Sequence, residues 1–401
     1  MDLELNRTVT AVVTYLGEQL GEFGPFPVET LRWQDVAPVA RAAEERLGVP
    51  VVVLRLVSVE GGEDYQGGHV TYQVEALQRP RAGLDPSDRP LGDPARRAGW
   101  ATSEGARASL AWAEEALVAA GRPLTGPAEQ IKTWNLSGVH RLPTGAGPAW
   151  LKSTPVFGAC EAETIALIAE VDRELVPTVL AADTPGRRVL LDHVPGQDCW
   201  GFPEDTMLAV VGRWVAAQAA LAERVAALGT GTTLPLRTPE RLTDQARALL
   251  DRELGLTADE LAAARELVGG FPAMAEELAA CGLPITLVHG DFHPGNCRSD
   301  GTGNVLVDFS DACLGHPAFD GLRLRPMLSP ERWEQVRALW CEAWRKAAPG
   351  SDPQRALELA RPIMRIGYAV RYQEFLDGIE ASERIYHQDD PAAEIRGALR
   401  G

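Results

Sequence analysis

No stretch of the 401-residue sequence is apolar for long enough to span a bilayer; the best candidate is interrupted by Arg213 and Gln218. The N-terminal "MDLELNRTVT" carries acids where a secretory signal carries basic residues, so a cytoplasmic protein is expected. There is no CxxC pair among the six cysteines (160, 199, 281, 297, 313 and 341), which argues against a zinc site or a disulfide framework and for buried thiols in a reducing compartment. Basic residues are in deficit, 39 against 56 acids, for a net charge of −17. Such a field repels phosphate backbones and anionic lipid, which excludes nucleic acid and membrane as expected partners. It favours a cationic small molecule near an acidic cleft, or it simply keeps the surface soluble. Neither a Walker sequence nor GxGxxG occurs, and no internal repeat is found.

What is present is the composition of a soluble globular protein, 45% hydrophobic and 24% charged, at a length that needs two or three packed units. β-Branched runs at 8–15, 50–58 and 69–76 with helical spacing over 35–47 predict a small α+β unit over residues 1–97. Its "RAAEERLGV" (41–49) weakly resembles the helix of a Nudix box. Ala42 and Arg46 stand where acids are required, so the unit is expected to be non-catalytic. It could pack on the next lobe, form a dimer surface or cover a cleft. A Pro- and Gly-rich edge leads into a linker helix within 98–124. Short strands "IKTWNL", "VHRLP" and "AWLKS" then predict an antiparallel meander, followed by the helix "CEAETIALIAEV" and strands "VPTVLAAD" and "RRVLLDHV". Beyond 196, amphipathic helices dominate to the end of the chain.

The segment "HGDFHPGNCRSDGTGNVLVDFS" (289–310) interrupts those helices. Asp291 and Asn296 lie five positions apart with Pro294 and Gly295 between them, a spacing suited to a tight loop. Asp308 follows on the return strand of a predicted hairpin. Taken singly, such residues build turns. Together they supply hard oxygen ligands of the kind that hold Mg²⁺, with Asn296 and Asp308 as the metal pair, and a second carboxylate, Asp291, able to accept a proton from a hydroxyl. That is the equipment of phosphoryl transfer.

"HGDFHPGN" followed by "VLVDFSDACLGHPAFD" resembles the catalytic loop and metal-binding strand of the aminoglycoside phosphotransferase family, relatives of choline, homoserine, fructosamine and amino-sugar kinases. Asp308-Phe309 stands where the family usually has Asp-Trp. Gly315, Pro317 and Asp320 match the family's Gly-x-Pro-x-x-Asp, where the last Asp is structural. The resemblance implies an α+β, bilobal protein-kinase-like fold, with an ATP lobe over 125–195 and a helical lobe over 196–401. It implies ATP and Mg²⁺ as cofactors and a small-molecule hydroxyl acceptor, an aminoglycoside or other amino sugar. Lys152 is then the phosphate-binding lysine and Glu163 its helix partner, with Glu161 as rival. Ser137, in the turn "NLSGV", is placed to bond phosphate, and the backbone of Asp192, His193 and Val194 to bind adenine. His289 and His293 are expected to order the loop. Asp198, Trp200, Glu374 and Asp377 are candidates for a cationic acceptor's pocket, although the acids equally fit a solvated face and Trp200 a core position. The rivals are a metabolic kinase of glucosamine or an amino alcohol, and a nucleotide-binding scaffold with little turnover.

Overall fold

A computed structural model describes residues 6–201, 204–228 and 233–400. The chain forms two compact units, one comprising residues up to Pro155, Thr178–His193 and Leu376–Gln388, the other Val156–Pro177, Val194–Phe375 and the chain from Asp389 onward.

The first unit holds two sheets. Strands β1 (Arg7–Tyr15), β2 (Glu18–Val28), β3 (Val51–Glu60) and β4 (Gly68–Ala76) lie in the order β2-β1-β4-β3, with only β1 and β4 parallel. Helix α1 (Ala37–Leu47) places Val39, Ala40, Ala43 and Leu47 on one buried face, and Gly48 ends it in the left-handed region at φ +68°. These side chains meet Val9, Val13, Val53 and Val74 in one core, where each fully buried Val or Leu contributes about 1.5–3 kcal/mol. β2 carries no strand signal in the sequence, because Gly21, Gly24 and Pro25 read as breakers. It forms on the sheet edge, where bulges against β1 are tolerated.

After α2 (Ser103–Ala119), capped by Thr102, comes a second, wholly antiparallel sheet. It is built from β5 (Glu129–Trp134), β6 (Ser137–Leu142), β7 (Ala149–Ser153), β8 (Val179–Asp183) and β9 (Arg188–Asp192), in the order β5-β6-β7-β9-β8. The two sheets join through Gln130, whose amide accepts from Val53 N–H at 2.7 Å and donates to Val53 C=O at 2.7 Å. The side chain thus imitates a strand on the edge of β3. The N-terminal module therefore packs on the meander sheet, one of the three placements that the sequence left open. Residues 376–388, expected in the helical lobe, cluster with this unit: Glu380 pairs with Arg55 at 2.9 Å, and Glu383 accepts from Leu56 N–H at 2.9 Å.

The second unit is mainly helical. It contains α3 (Glu161–Ala169), α4 (Glu204–Leu228), α5 (Pro239–Leu249), α6 (Ala258–Gly269), α7 (Phe271–Ala280), α8 (Ala318–Arg323), α9 (Pro330–Ala347), α10 (Pro353–Gly378, whose last residues cluster with the first unit) and α11 (Asp390–Leu399). Two small sheets interrupt the helices. β10 (Gln197–Asp198) pairs with β13 (Cys297–Ser299) and β13 with β14 (Asn304–Leu306); β11 (Leu236–Arg237) and β12 (Thr286–Val288) flank β15 (Cys313–Gly315). The mixed α+β class is as expected, and all six cysteines are buried free thiols. Among the described residues no helix is long and apolar enough to cross a membrane.

Candidate active site

The loop from His289 to Asn296 hangs on one buried carboxylate. Asp320, on α8, accepts from the backbone N–H of His289 at 2.8 Å and of Gly290 at 3.1 Å, and from the side chains of Trp214 and Gln218 at 2.8 and 3.1 Å. Burial pushes its carboxyl up from the ordinary range, although His289 and the bonds from Trp214 and Gly290 oppose that shift. Gly290 is required here: its φ is +83°, and an added Cβ would lie 2.1 Å from the carbonyl oxygen of Asp311. His289 is buried and accepts the Asp291 N–H on Nδ1 at 3.3 Å, so Nε2 carries the proton and donates to Val307 C=O at 3.1 Å. The imidazole ties loop to hairpin.

Asp291 is the hub. Its Oδ1 accepts from Arg323 Nε and Nη2 at 3.1 and 2.8 Å; its Oδ2 accepts from Asn296 Nδ2 at 3.0 Å and His293 Nε2 at 3.2 Å. His293 Nδ1 in turn accepts from Gly295 N–H at 3.0 Å, which fixes the tautomer that donates to Asp291. Burial disfavours the carboxylate, but the hydrogen bond from His293 and the charge of Arg323 outweigh it and hold the carboxyl well below the usual range. Arg323 also lies over the ring of Tyr368 at 5.0 Å, and the Tyr368 hydroxyl donates to Gly290 C=O at 2.9 Å. Sequence reasoning missed Arg323 and Tyr368, since an arginine and a tyrosine on distant helices carry no local signal.

Asn296 and Asp308 are brought together by the hairpin. Val307 N–H donates to Asn296 C=O at 2.9 Å, directly before Asp308. The strand stops at Leu306, short of the expected end, and Asp308 turns out of it at φ +67°, in the left-handed region that Asp and Asn enter more readily than other non-glycine residues. Ser310 Oγ donates to Asp308 Oδ1 at 2.9 Å. The amide hydrogens of Asn296 go to Asp291 O and Oδ2, at 2.9 and 3.0 Å, so its carbonyl oxygen is the atom left for a ligand. One carboxylate and one amide oxygen fit Mg²⁺, which completes its shell with water and phosphate. Among the described residues no cluster of three or more His, Cys, Asp or Glu is built to hold a metal without such help.

Two of the expected positions are engaged within the fold. Glu163 is exposed, and its carboxylate accepts from Thr233 Oγ1. Glu161, half a helical turn earlier, is buried, and its Oε1 accepts from Phe309 N–H at 3.3 Å, beside Asp308. The two lie on different helix faces: Glu161 is grouped with the buried Thr164, Ile165 and Ile168. Ser137 is engaged as well. It is buried, and its hydroxyl accepts from Trp134 Nε1 at 3.0 Å, closing the hairpin rather than presenting itself to a ligand.

Lys152 lies buried on β7, opposite Val139 and Val189. Asp192 is held by Arg122 Nη1 at 2.9 Å and accepts its neighbour's N–H, from His193, at 2.9 Å. His193 is exposed and accepts from Trp150 Nε1 at 3.2 Å, while Val194 C=O accepts from Arg298 Nε at 3.2 Å. Trp200 is not a core residue: it is 54% exposed and stacks on His293, 5.7 Å between centroids. Asp198 is exposed beside it and accepts from Trp200 N–H at 3.3 Å. Glu374 is paired with Arg237 at 2.5 Å and, at 3.3 Å, with Arg371, which Asp311 also holds at 2.7 Å. Asp377 is half-buried near the end of α10, in the segment that clusters with the first unit.

Residues 151–359 match the phosphotransferase enzyme family, APH. No curated protein matches the chain. Among solved structures, a macrolide 2'-phosphotransferase type I is similar at 18% identity and a TM-score of 0.49, over 70% of this chain and 96% of its own. A macrolide 2'-phosphotransferase from Brachybacterium faecium gives 19% and 0.46, over 71% and 97%. A choline/ethanolamine kinase family protein from Mesorhizobium loti gives 18% and 0.47, over 69% and 93%. The family match takes in more than half of the sequence, Lys152 and the whole 289–310 segment included, and the chain accordingly belongs to the phosphotransferase enzyme family of small-molecule kinases.

Proposed function

We propose that this protein transfers the γ-phosphoryl group of ATP to a hydroxyl of a small molecule, with Asp291 positioning the hydroxyl and accepting its proton. The observation that carries the reading is the Asp291 carboxylate, held ionised by Arg323 and His293 and joined through Asn296 to the turn that presents Asp308. A carboxylate so stabilised is a weak base. That suits a loose phosphoryl-transfer transition state, in which the acceptor proton is lost late and alignment matters more than basicity. Mg²⁺ bound by Asn296 and Asp308 would neutralise phosphate charge. Lys152 contributes its charge to the phosphates, Glu161 takes the place of the family's helix glutamate, and the backbone from Asp192 to Val194 receives the adenine.

The amino-sugar acceptor implied by the resemblance, like glucosamine or an amino alcohol, calls for acids at the acceptor face. Glu374 is already paired with arginine, so it is not carried into this reading as an amine ligand. A scaffold role is disfavoured because it gives Asp291 no reason to be so completely held.

The test is ADP release from MgATP in a coupled assay, across neutral, cationic and anionic hydroxyl compounds, with Asp291→Asn as control. Acceptor-dependent release that the variant lacks is expected. If no acceptor class raises release above the variant's level, the reading fails.

A further inference from the structure

Beside the Asp291 loop the second unit carries a half-open cavity of about 480 Å³ whose lining includes Arg323, Arg325, Arg361, Arg365, Tyr368 and Glu394. Two of its four arginines are neutralised, Arg323 by Asp291 at 2.8 Å and Arg365 by Glu394 at 3.0 Å. Among the described residues, Arg325 and Arg361 have no acidic partner. Burial first, and then the charges of Arg325 and Arg365, make Arg361 harder to keep protonated than an ordinary arginine. Arg325 is exposed and Arg361 half-buried, so both guanidinium groups are open to a ligand entering the cavity, and an anion between them would relieve their mutual repulsion. Guanidinium is also the side chain whose planar fork suits carboxylate and phosphate oxygens. The overall negative field does not preclude this, because screening reduces it beyond about 8–10 Å whereas the cavity arginines act at contact.

We infer that this cavity is the acceptor subsite and that Arg325 and Arg361 bind a carboxylate or phosphate group of the hydroxyl substrate. The inference rests on the kinase reading above and names its acceptor class, replacing the cationic compound expected from net charge. Arg323 makes the link: the guanidinium that lines the cavity is the one bonded to Asp291. An acceptor anchored there by its anionic end would share the Arg323 wall with the base. Tyr368, also in the lining and bonded to Gly290, gives the acceptor an apolar ring on the same wall.

The full-length protein should be titrated calorimetrically with gluconate, glucose 6-phosphate, glucose and glucosamine, and separately with MgATP. At least one of the two anionic probes is expected to bind about tenfold or more tightly than glucose or glucosamine, as charge-assisted hydrogen bonds allow. The preferred anion identifies the group. The Arg325→Gln/Arg361→Gln double variant should lose that preference, while Arg345→Gln, which removes an exposed arginine of α9 outside the cavity, should keep it. If neither anion binds more tightly than the neutral and amine sugars, or if the double variant retains the preference, the anionic acceptor is wrong and the kinase reading stands on its MgATP binding. Failure to bind MgATP would instead overturn the kinase reading, and the acceptor assignment with it.

Discussion

Arg323 donates both Nε and Nη2 to a single oxygen of Asp291, at 3.1 and 2.8 Å, while His293 and Asn296 hold the other oxygen at 3.2 and 3.0 Å. The family's loop aspartate is thus clamped by a side chain 32 residues further along the sequence. Replacing Asp291 with Asn keeps the shape and removes the charge. Turnover should fall about 10²–10⁴-fold while calorimetric affinity for MgATP survives. Wild-type turnover in the variant would make Asp291 a loop-builder.

The same clamp sets a pH dependence. Asp291 has its carboxyl held below the ordinary range, so it stays ionised as pH falls into the acid region, and its protonation does not limit the wild-type rate there. Arg323→Gln removes a cause of that depression, and the carboxyl should move up towards its ordinary value of about 4. A new acid limb should then appear in the kcat/KM profile of the variant. Superimposable profiles for the two proteins would show that Arg323 does not tune the base.

Metal dependence is assigned to Asn296 and Asp308. EDTA should abolish ADP release, and added Mg²⁺ or Mn²⁺ should restore it. Asp308→Asn should lose MgATP binding and activity together. Asp308 occupies the left-handed region, which Asn tolerates well, so the variant should fold, and a melting curve like the wild type's would show it. Full activity without a divalent ion would remove the assigned role.

Glu161 and Glu163 make opposite predictions. Glu161 is buried with its carboxylate on Phe309 N–H, and Glu163 is exposed. Glu161→Gln should impair catalysis by at least about tenfold, whereas Glu163→Gln should stay close to wild type, as most surface substitutions do. Comparing kcat for the two variants decides the matter, and the reverse ranking would restore the sequence-based choice.

Glu383 gives a stability test away from the site. Burial lifts its carboxyl to about 8, against the Leu56 N–H bond, which favours the charged form. A carboxyl raised in the fold binds its proton more tightly there than in the unfolded chain. Its contribution is therefore complete below the unfolded value of about 4.5 and is lost as pH rises through about 8. Between those limits the loss approaches about 1.4 kcal/mol per pH unit. Glu383→Gln, which imitates the protonated acid, should melt at a clearly higher temperature than wild type at pH 9 and much closer to it at pH 5. An equal difference at both pH values would show that Glu383 does not titrate in this range.

Local chemistry was enough to place much of the fold. The β-branched runs over 8–15, 50–58 and 69–76, the capped helix at 103, and the meander around Lys152 are legible because period, turn residues and caps act over a few positions. The Asp-x-x-x-x-Asn loop and the aspartate twelve residues beyond it are legible for the same reason. β2 is not, since its glycines and prolines contradict the strand that its partner imposes.

The partners of those residues belong to the tertiary structure alone. Sequence spacing leaves Glu161 and Glu163 equivalent, and only packing shows which face of α3 is buried. Glu374, read as part of an open amine-binding face, is paired once Arg237 arrives from another element. Arg323, Arg325 and Arg361, on α8, after it and on α10, look like three scattered surface charges in the sequence. Folding gathers them around one cavity, and the sign of that cavity is opposite to the sign of the chain, because net charge adds every residue equally while a ligand feels those within a few ångströms.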